Sequence, residues 1–240
     1  MTLKQQLGRW LRARLPFSRR TFETLRFEFR ILRQRWLNAL LPWRRLRISR
    51  LRALRGVSLN VGSGGRGRPD WVNFDVSPQH ADLYCTHDLR RSLPFNDGTV
   101  RRILAEHVIE HLDFHDDVPR VFAEFHRVLS PGGVVRIIVP DVERFVRAYL
   151  ANTPEHWQQL GFAEGRLPAD MGTPLEMLNH VFHQGGEHCF GWDYATMEAA
   201  LNRAGFTRVM RQSYRQSVDP QLAIDQPNHA PYSLYVEAVK

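Results

Sequence analysis

Histidine and glutamate cluster at one point in the chain where their spacing could do metal or acid–base chemistry. Residues 107–111 read His-Val-Ile-Glu-His, which has the form H-x-x-E-H. In one class of zinc peptidase, this spacing on a helix lets two histidines hold the metal while the glutamate activates water. His115 would extend the same helical face by one more turn. Because no third ligand has a recognisable context, we expect no metal at this motif.

A second group of candidate side chains falls within residues 151–191 and just after them. Its members are His156, Trp157, His180, His183, Glu187, His188, Phe190 and Trp192. Histidines and aromatic rings together can stack on, and hydrogen-bond to, a sugar or a planar ring. Two alternatives stay open: a solvated lid whose histidines are satisfied locally, and a metal site made by His180, His183 and His188.

A glycine-rich loop follows a predicted buried strand, Val57–Val61, and could let a ligand approach the backbone closely. Gly62, Gly64 and Gly67 fit the G-x-G-x-x-G pattern of nicotinamide-binding proteins. That fingerprint also needs a crossover helix and an acid about 20 residues later. Asp75 comes only eight residues after Gly67, which leaves no room for the helix. The spacing therefore argues against a nicotinamide cofactor.

Strand and helix patterns alternate through the chain, and their order must position these side chains. Strands are predicted at 57–61, 71–76, 83–85, 100–105, 134–139, 207–210 and 234–239, and helices at 117–129 and 192–204. The alternation predicts an α/β fold with a doubly wound, seven-stranded, mostly parallel sheet, preceded by a helical basic extension. Ligands bind such sheets at the carboxyl ends of the strands. Gly62, Asp75, Asp88 and His107 all fall at predicted strand ends.

The motifs at these strand ends resemble those of the class I S-adenosylmethionine-dependent methyltransferases, in particular the type 11 group. The resemblance spans about residues 57–239 and follows the order of the family's motifs. The matching segments are 59–64, Asp75, Asp88 with Leu89, 93–95, 106–112 and 129–133. The resemblance implies a Rossmann-like fold with S-adenosylmethionine as the cofactor.

The resemblance also implies which residues at the first two strands hold the cofactor. Gly62, Ser63 and Gly64 would lie under its methionine part, with Asn60 standing where the family usually has aspartate. Asp75 would accept hydrogen bonds from the two ribose hydroxyls. A carboxylate suits that task because it offers several lone pairs and no competing donor.

At the third strand, Asp88 would meet the adenine amino group and Leu89 would pack on the ring. Glu106 and His107 would sit at the mouth of the fourth strand, with Glu106 facing the cofactor beside the transferred methyl group. Methyl transfer depends mainly on positioning, and a base becomes useful when the acceptor is a hydroxyl. His107 is the first candidate base and His111 the second. A plain structural role is an equally open alternative for either histidine.

Residues 151–191 resemble the acceptor-covering insertion that varies most among these enzymes, so His180, His183 and His188 are the acceptor-side candidates. The favoured interpretation is methylation of a small molecule or a glycan, which could be lipid-linked. Neither an Asn/Asp-Pro-Pro-Tyr loop nor a Pro-Cys nucleophile is present, so methylation of DNA bases is disfavoured. Two rival hypotheses are an RNA methyltransferase whose arm follows phosphates and a catalytically silent subunit that docks a partner.

The net charge of +8 is divided unevenly along the chain. Residues 1–55 hold 16 of the 33 Lys/Arg but two of the 25 Asp/Glu, a net charge of +14 that leaves −6 for the remainder. We therefore divide the chain into a basic arm, residues 1–54, and a methyltransferase domain, residues 55–240. The two cysteines, Cys85 and Cys189, cannot make a disulfide scaffold, which indicates a reducing compartment.

The arm combines two apolar stripes with arginines at helical spacing. One stripe is Leu3, Leu7, Trp10, Leu11 and Leu15, and the other is Phe22, Leu25, Phe29, Leu32, Trp36 and Leu40, ending at Pro42. Arg26, Arg30 and Arg33 share the other side of the second helix. Such a helix could lie on an anionic membrane surface, pack on the body, or bind nucleic acid, and we favour the membrane. The expected location is cytoplasmic, peripheral on the inner face of the membrane, with a mitochondrial presequence as the alternative.

Little chain joins the first three strands. Gly64 and Asp75 are 11 positions apart, and Asp75 and Asp88 are 13 apart, which is too few for the long helices that normally cover one face of the sheet. Since an apolar sheet face must be shielded from water, we expect part of residues 1–40 to pack there.

Overall fold

The computed structural model describes residues 18–77, 82–168 and 171–240. The predicted first helix of the arm, with Leu3 to Leu15, lies outside the described residues. The strands are Val57–Val61 (β1), Val72–Asp75 (β2), Leu83–Thr86 (β3), Val100–Glu106 (β4), Leu129–Pro140 (β5), Arg208–Gln212 (β6) and Ser233–Val239 (β7). The helices are Arg19–Leu40 (α1), Pro42–Leu51 (α2), Val118–Val128 (α3), Val142–Ala151 (α4), Pro154–Gln159 (α5), Pro174–His183 (α6) and Tyr194–Arg203 (α7). Short 3-10 turns occupy Ile109–His111, Ala163–Gly165, Gln184–Gly186, Pro220–Leu222 and Pro227–His229.

These strands form one sheet in the order β3-β2-β1-β4-β5-β7-β6. Neighbours from β3 to β5 pair in parallel, and β7 runs antiparallel between β5 and β6. The predicted α/β fold with a seven-stranded, mostly parallel sheet is confirmed. The carboxyl ends of β1 to β4 meet at one edge of the sheet, which is where ligands of such folds bind.

One face of the sheet carries the main hydrophobic core. Alternate residues of the strands point into it, among them the fully buried Leu59 and Val61 of β1 and Ile103 of β4. Helices α3 and α7 cover this face with side chains such as Phe122 and Leu201. Burial of one large apolar side chain contributes roughly 1.5–3 kcal/mol, so this face supplies most of the stability of the sheet.

The opposite face of the sheet is polar near its centre. Asn60 Nδ2 donates to Asn73 Oδ1 at 2.9 Å, and Arg102 Nε donates to Asp219 Oδ2 at 2.7 Å. The segment 213–232 lies over this face and adds a small apolar cluster around Leu222. The prediction that the arm packs on this face is therefore wrong. The face is polar around Asn60 and Asn73, and its apolar part is covered by Leu222 and the late segment of the chain that carries it.

The arm packs instead at the edge of the sheet, against β3. Ile31 of α1 and Leu51 of α2 are buried, and Leu51 joins the main core. Asn38 Nδ2 donates to the backbone oxygen of Thr86, the last residue of β3, at 2.8 Å. An uncovered edge strand exposes unpaired backbone groups that invite aggregation. The arm protects that edge.

The apolar stripe of the arm faces solvent. Side chains that are 44–75% exposed are Leu25, Phe29, Leu32, Trp36 and Leu40 in α1 and Trp43 and Leu46 in α2. The hypothesis that this stripe packs on the body is wrong, because α1 turns Ile31 and Gln34 toward the body. Pro42 ends α1 as predicted, and it also begins α2, since proline is favoured in the first turn of a helix.

Helices α4, α5 and α6 form a unit with its own hydrophobic core beyond the end of β5. This core consists of Val142, Phe145, Ala148, Trp157, Leu160, Met177 and Val181. It includes most of the predicted insertion at 151–191. None of the helices in the described part of the chain has the length and hydropathy that a membrane span requires.

Candidate functional site

The glycine loop after β1 has the tight geometry that a bound ligand requires. Gly62 has a φ of +64°, and a Cβ placed on it would lie 2.5 Å from the side chain of Val108. Gly64 has a φ of +54°, and a Cβ on it would meet no atom within 4 Å. Both values lie in the left-handed region that glycine adopts at little cost. Packing against Val108 therefore requires glycine at position 62, and the backbone at Gly64 is left accessible to a ligand.

Asp75 ties this loop to the end of β2. Its Oδ2 accepts a hydrogen bond from the Gly64 N–H at 2.9 Å, and its Oδ1 accepts one from the Ser77 N–H at 2.8 Å. Ser63 N–H donates to the backbone oxygen of Phe74 at 3.0 Å. Each carboxylate oxygen offers two lone pairs, so Asp75 keeps acceptor capacity for a ligand that lies beside the loop.

A cavity of about 310 Å³ opens beside the end of β3, between the domain and the arm. Val76, His87 and Asp88 line one side of it, and Ile31 and Gln34 of α1 line the other. His87 Nε2 is buried and has no hydrogen-bond partner among the described residues, so it is available to a ligand. Leu89 is buried in the main core beside this cavity. Asp88 was predicted at this edge of the sheet, whereas the wall supplied by the arm was not predicted.

Asp88 is held by an arginine that also reaches the arm. Arg90 donates from Nε to Asp88 Oδ1 at 3.0 Å and from Nη1 to Glu28 Oε1 at 2.8 Å. Burial tends to raise the pKa of Asp88, but the hydrogen bonds from Arg90 outweigh it and hold that pKa below its usual value. The third-strand acid is therefore a carboxylate at neutral pH, and Glu28 links its position to α1.

Asn60 and Glu106 point to the polar face of the sheet. Besides its bond to Asn73, Asn60 Nδ2 donates to the Arg66 oxygen at 3.3 Å, which braces the glycine loop from behind. Glu106 Oε1 accepts from the Gln226 N–H at 3.1 Å and lies 3.2 Å from His229 Nδ1. Burial works to raise the pKa of Glu106, and the bonds from His229 and Gln226 bring it below its usual value. Direct contact of either residue with a cofactor stays a prediction.

His107 occupies a strained position at the end of β4. Its φ of +51° lies in the left-handed region, which costs a residue with a Cβ energy and is found at functional sites. Its Nε2 lies 3.0 Å from Ser233 Oγ, and its ring centroid lies 3.9 Å from that of His229, with the two rings tilted by 46°. On the other side, Nδ1 lies 3.1 Å from Glu110 Oε1. An imidazole flanked by a carboxylate and a hydroxyl can hold or move a proton.

The zinc-peptidase geometry considered for residues 107–111 is wrong. The segment Ile109–His111 is a single 3-10 turn, so His107 and His111 do not share a helical face. His107 contacts Ser233, whereas the ring of His111 lies 5.0 Å from that of His188. The continuous helix that the zinc-peptidase motif requires does not form at these residues, and Val108 packs against Gly62.

A second cavity, of about 370 Å³, lies between the α4–α6 unit and the segment before β7. Its walls are mainly apolar and aromatic, with Phe145, Phe162 and Met177 among them. His180 and His188 line it together with Tyr232, whose ring centroid is 5.8 Å from that of His107. His183, the third predicted acceptor-side histidine, is exposed and is not among the residues that line it.

A family model described as a methyltransferase domain, of the type 11 group, matches residues 72–137. No curated protein matches the chain.

Among solved structures, a S-adenosylmethionine-dependent methyltransferase from Mesorhizobium loti is 18% identical, with a TM-score of 0.45, and the match covers 85% of this chain and 95% of that one. A corresponding enzyme from Archaeoglobus fulgidus is 13% identical, with a TM-score of 0.43, covering 88% and 94%. A protein from Thermotoga maritima, described as a possible histamine N-methyltransferase, is 14% identical, with a TM-score of 0.44, covering 86% and 97%.

The match to a methyltransferase domain over residues 72–137, with the strand order and the site at the ends of β1 to β4, supports a class I S-adenosylmethionine-dependent methyltransferase. Its cofactor is S-adenosylmethionine. The residues of the site fit that molecule. The open backbone at Gly64, the spare acceptor capacity of Asp75 and the unpaired His87 nitrogen all border the sheet edge where it would bind. Asp88 supplies a further acceptor.

Proposed function

We propose that the enzyme methylates a small molecule or a glycan that enters the 370 Å³ cavity, with His107 as the base. The observation that supports this most is the position of Tyr232. It lines the cavity and also approaches His107, which follows β4 directly. A mainly apolar cavity with a few convergent polar groups is typical of sites for small ligands. The acceptor would therefore carry an apolar or planar portion beside a nucleophilic oxygen or nitrogen.

S-adenosylmethionine supplies an electrophilic methyl group when it is bound. The chain's own residues must orient the acceptor and take its proton. His107 can accept a proton at Nε2, where Ser233 Oγ lies 3.0 Å away. Glu110, with Oε1 3.1 Å from Nδ1, would stabilise the resulting imidazolium. A positioned base of this kind contributes roughly 10²–10⁴-fold to the rate.

The test is methyl transfer from labelled S-adenosylmethionine to separated glycan, lipid, small-molecule and RNA fractions. We expect label in a glycan, lipid-linked or small-molecule product, and His107→Gln should lower kcat by at least about 100-fold while cofactor affinity is kept. His115→Gln is the matched control, because His115 is an exposed histidine nearby. Label confined to RNA would overturn the proposal in favour of the RNA hypothesis, and cofactor binding without any transfer would favour the silent subunit.

We further propose that the exposed stripe of the arm rests on an anionic membrane surface. Phe29, Trp36 and Trp43 are 75%, 58% and 66% exposed on neighbouring turns of α1 and α2. Residues 1–55 carry a net charge of +14, and each basic residue near an anionic surface contributes about 1 kcal/mol. Aromatic side chains at the headgroup level with arginines beside them are typical of interfacial helices.

Co-sedimentation with lipid vesicles tests this arrangement. Phosphatidylglycerol vesicles should bind the enzyme, phosphatidylcholine vesicles should bind it much less, and added salt should weaken the binding. The double variant Phe29→Ser/Trp36→Ser should lose at least about tenfold in affinity. Leu150→Ser/Leu175→Ser is the control, because these two leucines are equally exposed but lie outside the arm. Equal binding by both double variants would refute membrane contact through the stripe.

A further inference from the structure

Three side chains that commonly bind metals meet where the turn after β4 contacts the end of the α4–α6 unit. One donor atom from each of Glu110, His111 and His188 lies within 4.8 Å of the other two. Neither the H-x-x-E-H residues nor the set His180, His183 and His188 comes together as a metal site in the described part of the chain. The structure therefore assembles a different set, in which His188 lies 77 positions after His111 and 78 after Glu110.

The backbone holds the two segments of this cluster together. The N–H groups of Cys189 and Phe190 both donate to the backbone oxygen of Glu110, at 2.7 Å and 3.2 Å. The ring of Phe190 stacks on that of Phe114 with centroids 4.1 Å apart and an angle of 12°. These contacts hold together the two backbone segments that carry the three side chains, and they do not involve those side chains.

Hydrogen bonds to carbonyl oxygens select the metal-binding nitrogen of each histidine. His111 Nδ1 lies 3.0 Å from the oxygen of Glu187, and His188 Nδ1 lies 2.7 Å from the oxygen of Val181. A carbonyl oxygen can only accept, so Nδ1 carries the proton in both rings and Nε2 keeps a free lone pair. This is the outer-shell arrangement that orients histidine ligands in metal sites.

The carboxylate of Glu110 lacks the hydrogen bonds that its burial demands. The residue is 1% exposed, and neither carboxylate oxygen has a hydrogen-bond partner among the described residues. His107 Nδ1 lies 3.1 Å from Oε1, but it is not aligned as a hydrogen bond. A buried carboxylate whose oxygens accept no hydrogen bond is costly, and a cation coordinated by it would remove much of that cost.

We propose that Glu110, His111 and His188 bind one divalent transition-metal ion, for which zinc is the best match. Two imidazole nitrogens and one carboxylate are the ligands of an open, four-coordinate zinc site with one position left for water or substrate. Bonds of about 2.0–2.1 Å place such donors about 3.3 Å apart, so each side chain would move inward by under about 1 Å. His111 is exposed and gives the ion a path from solvent.

The open position of the ion would be next to the proposed acceptor site, because His188 also lines the 370 Å³ cavity. This part of the inference rests on the proposed function: an acceptor bearing a hydroxyl or carboxylate oxygen would complete the coordination. Binding of the ion itself depends on the three ligands alone. The two statements are therefore tested separately.

Metal content and zinc titration, measured on the full chain without a histidine tag and without acceptor, test the site. We expect the dialysed chain to hold one zinc ion, which a chelator removes. Zinc should then rebind to the wild type, and Glu110→Gln or His111→Ala should weaken that binding on the order of 100-fold. His115→Ala is the control and should bind like the wild type. Substitution with cobalt should give visible absorption of a four-coordinate site, which the two variants lose.

Wild-type chain that holds no stoichiometric zinc, or that binds it equally in Glu110→Gln, would overturn the proposal. His111 is exposed, so His111→Ala should fold even if changes at the buried ligands do not, and circular dichroism checks this. If the chain binds zinc but transfers no methyl group to any fraction, the metal site stands and the proposed function is refuted. If the chain transfers methyl groups but never holds zinc, the proposed function stands and the metal site is refuted.

Discussion

Replacing Arg136 with methionine should lower the free energy of unfolding by about 3–5 kcal/mol at pH 7. Arg136 is fully buried in β5, donating from Nε to Asp225 Oδ1 at 2.7 Å and from Nη1 to Glu237 Oε1 at 2.8 Å. Both carboxylates are also shielded from solvent. Methionine fills a similar volume but leaves two negative charges buried without a cation. The expected loss in free energy of unfolding is large because these charges stay out of water without compensation.

Urea unfolding at pH 7 measures the effect. The triple variant Arg136→Met/Asp225→Asn/Glu237→Gln should regain much of the stability, since it removes the charges together. Arg101→Met is the control, as Arg101 is exposed on β4. A loss below about 1 kcal/mol at pH 7 would refute the reasoning that Asp225 and Glu237 depend on Arg136 to compensate their buried charge.

Three further changes test the arm and the glycine loop. Ile31→Ala should weaken packing of α1 by about 2 kcal/mol and raise the calorimetric Kd for S-adenosylmethionine; an unchanged Kd would show that α1 is not a wall of the cofactor site. Burial raises the pKa of Cys85 to about 12, so iodoacetamide should label it slowly at neutral pH, and Ile31→Ala should speed the labelling detected by mass spectrometry. Gly62→Ala should cost at least about 1–2 kcal/mol in urea unfolding, because of its φ and the contact with Val108. Gly65→Ala, whose Cβ would meet nothing within 4 Å, should cost little.

The sheet could be predicted from the sequence because its strands carry short-range patterns. Val57–Val61 is a short, largely apolar run and residues 134–139 are mostly β-branched; both are bounded by glycine or proline, and β1 lies where it was expected. Since β2 and β3 pair in parallel with β1, topology alone then places Asp75 and Asp88 at one edge of the sheet. No longer-range information is needed for either step.

Short-range patterns could not predict the polar face of the sheet or the cluster of Glu110, His111 and His188. Arg136 sits inside an apolar run, and its partners Asp225 and Glu237 are about 90–100 positions away. Local periodicity carries no signal for such pairs. The same holds for His188, which reaches His111 across 77 positions. The H-x-x-E-H pattern at 107–111 is typical of a helix in zinc peptidases, whereas Ile109–His111 forms a 3-10 turn here.

Helix α1 serves two surfaces at once, and this has a thermodynamic consequence. Its inner side, with Ile31 and Gln34, closes the cavity beside Asp88, while its outer side carries Phe29 and Trp36 in solvent. A ligand that binds one side of a helix stabilises the docked position that the other side also requires. By thermodynamic linkage this coupling is reciprocal. A surface that holds α1 in place increases the affinity for the cofactor, and the bound cofactor increases the affinity for that surface by the same factor.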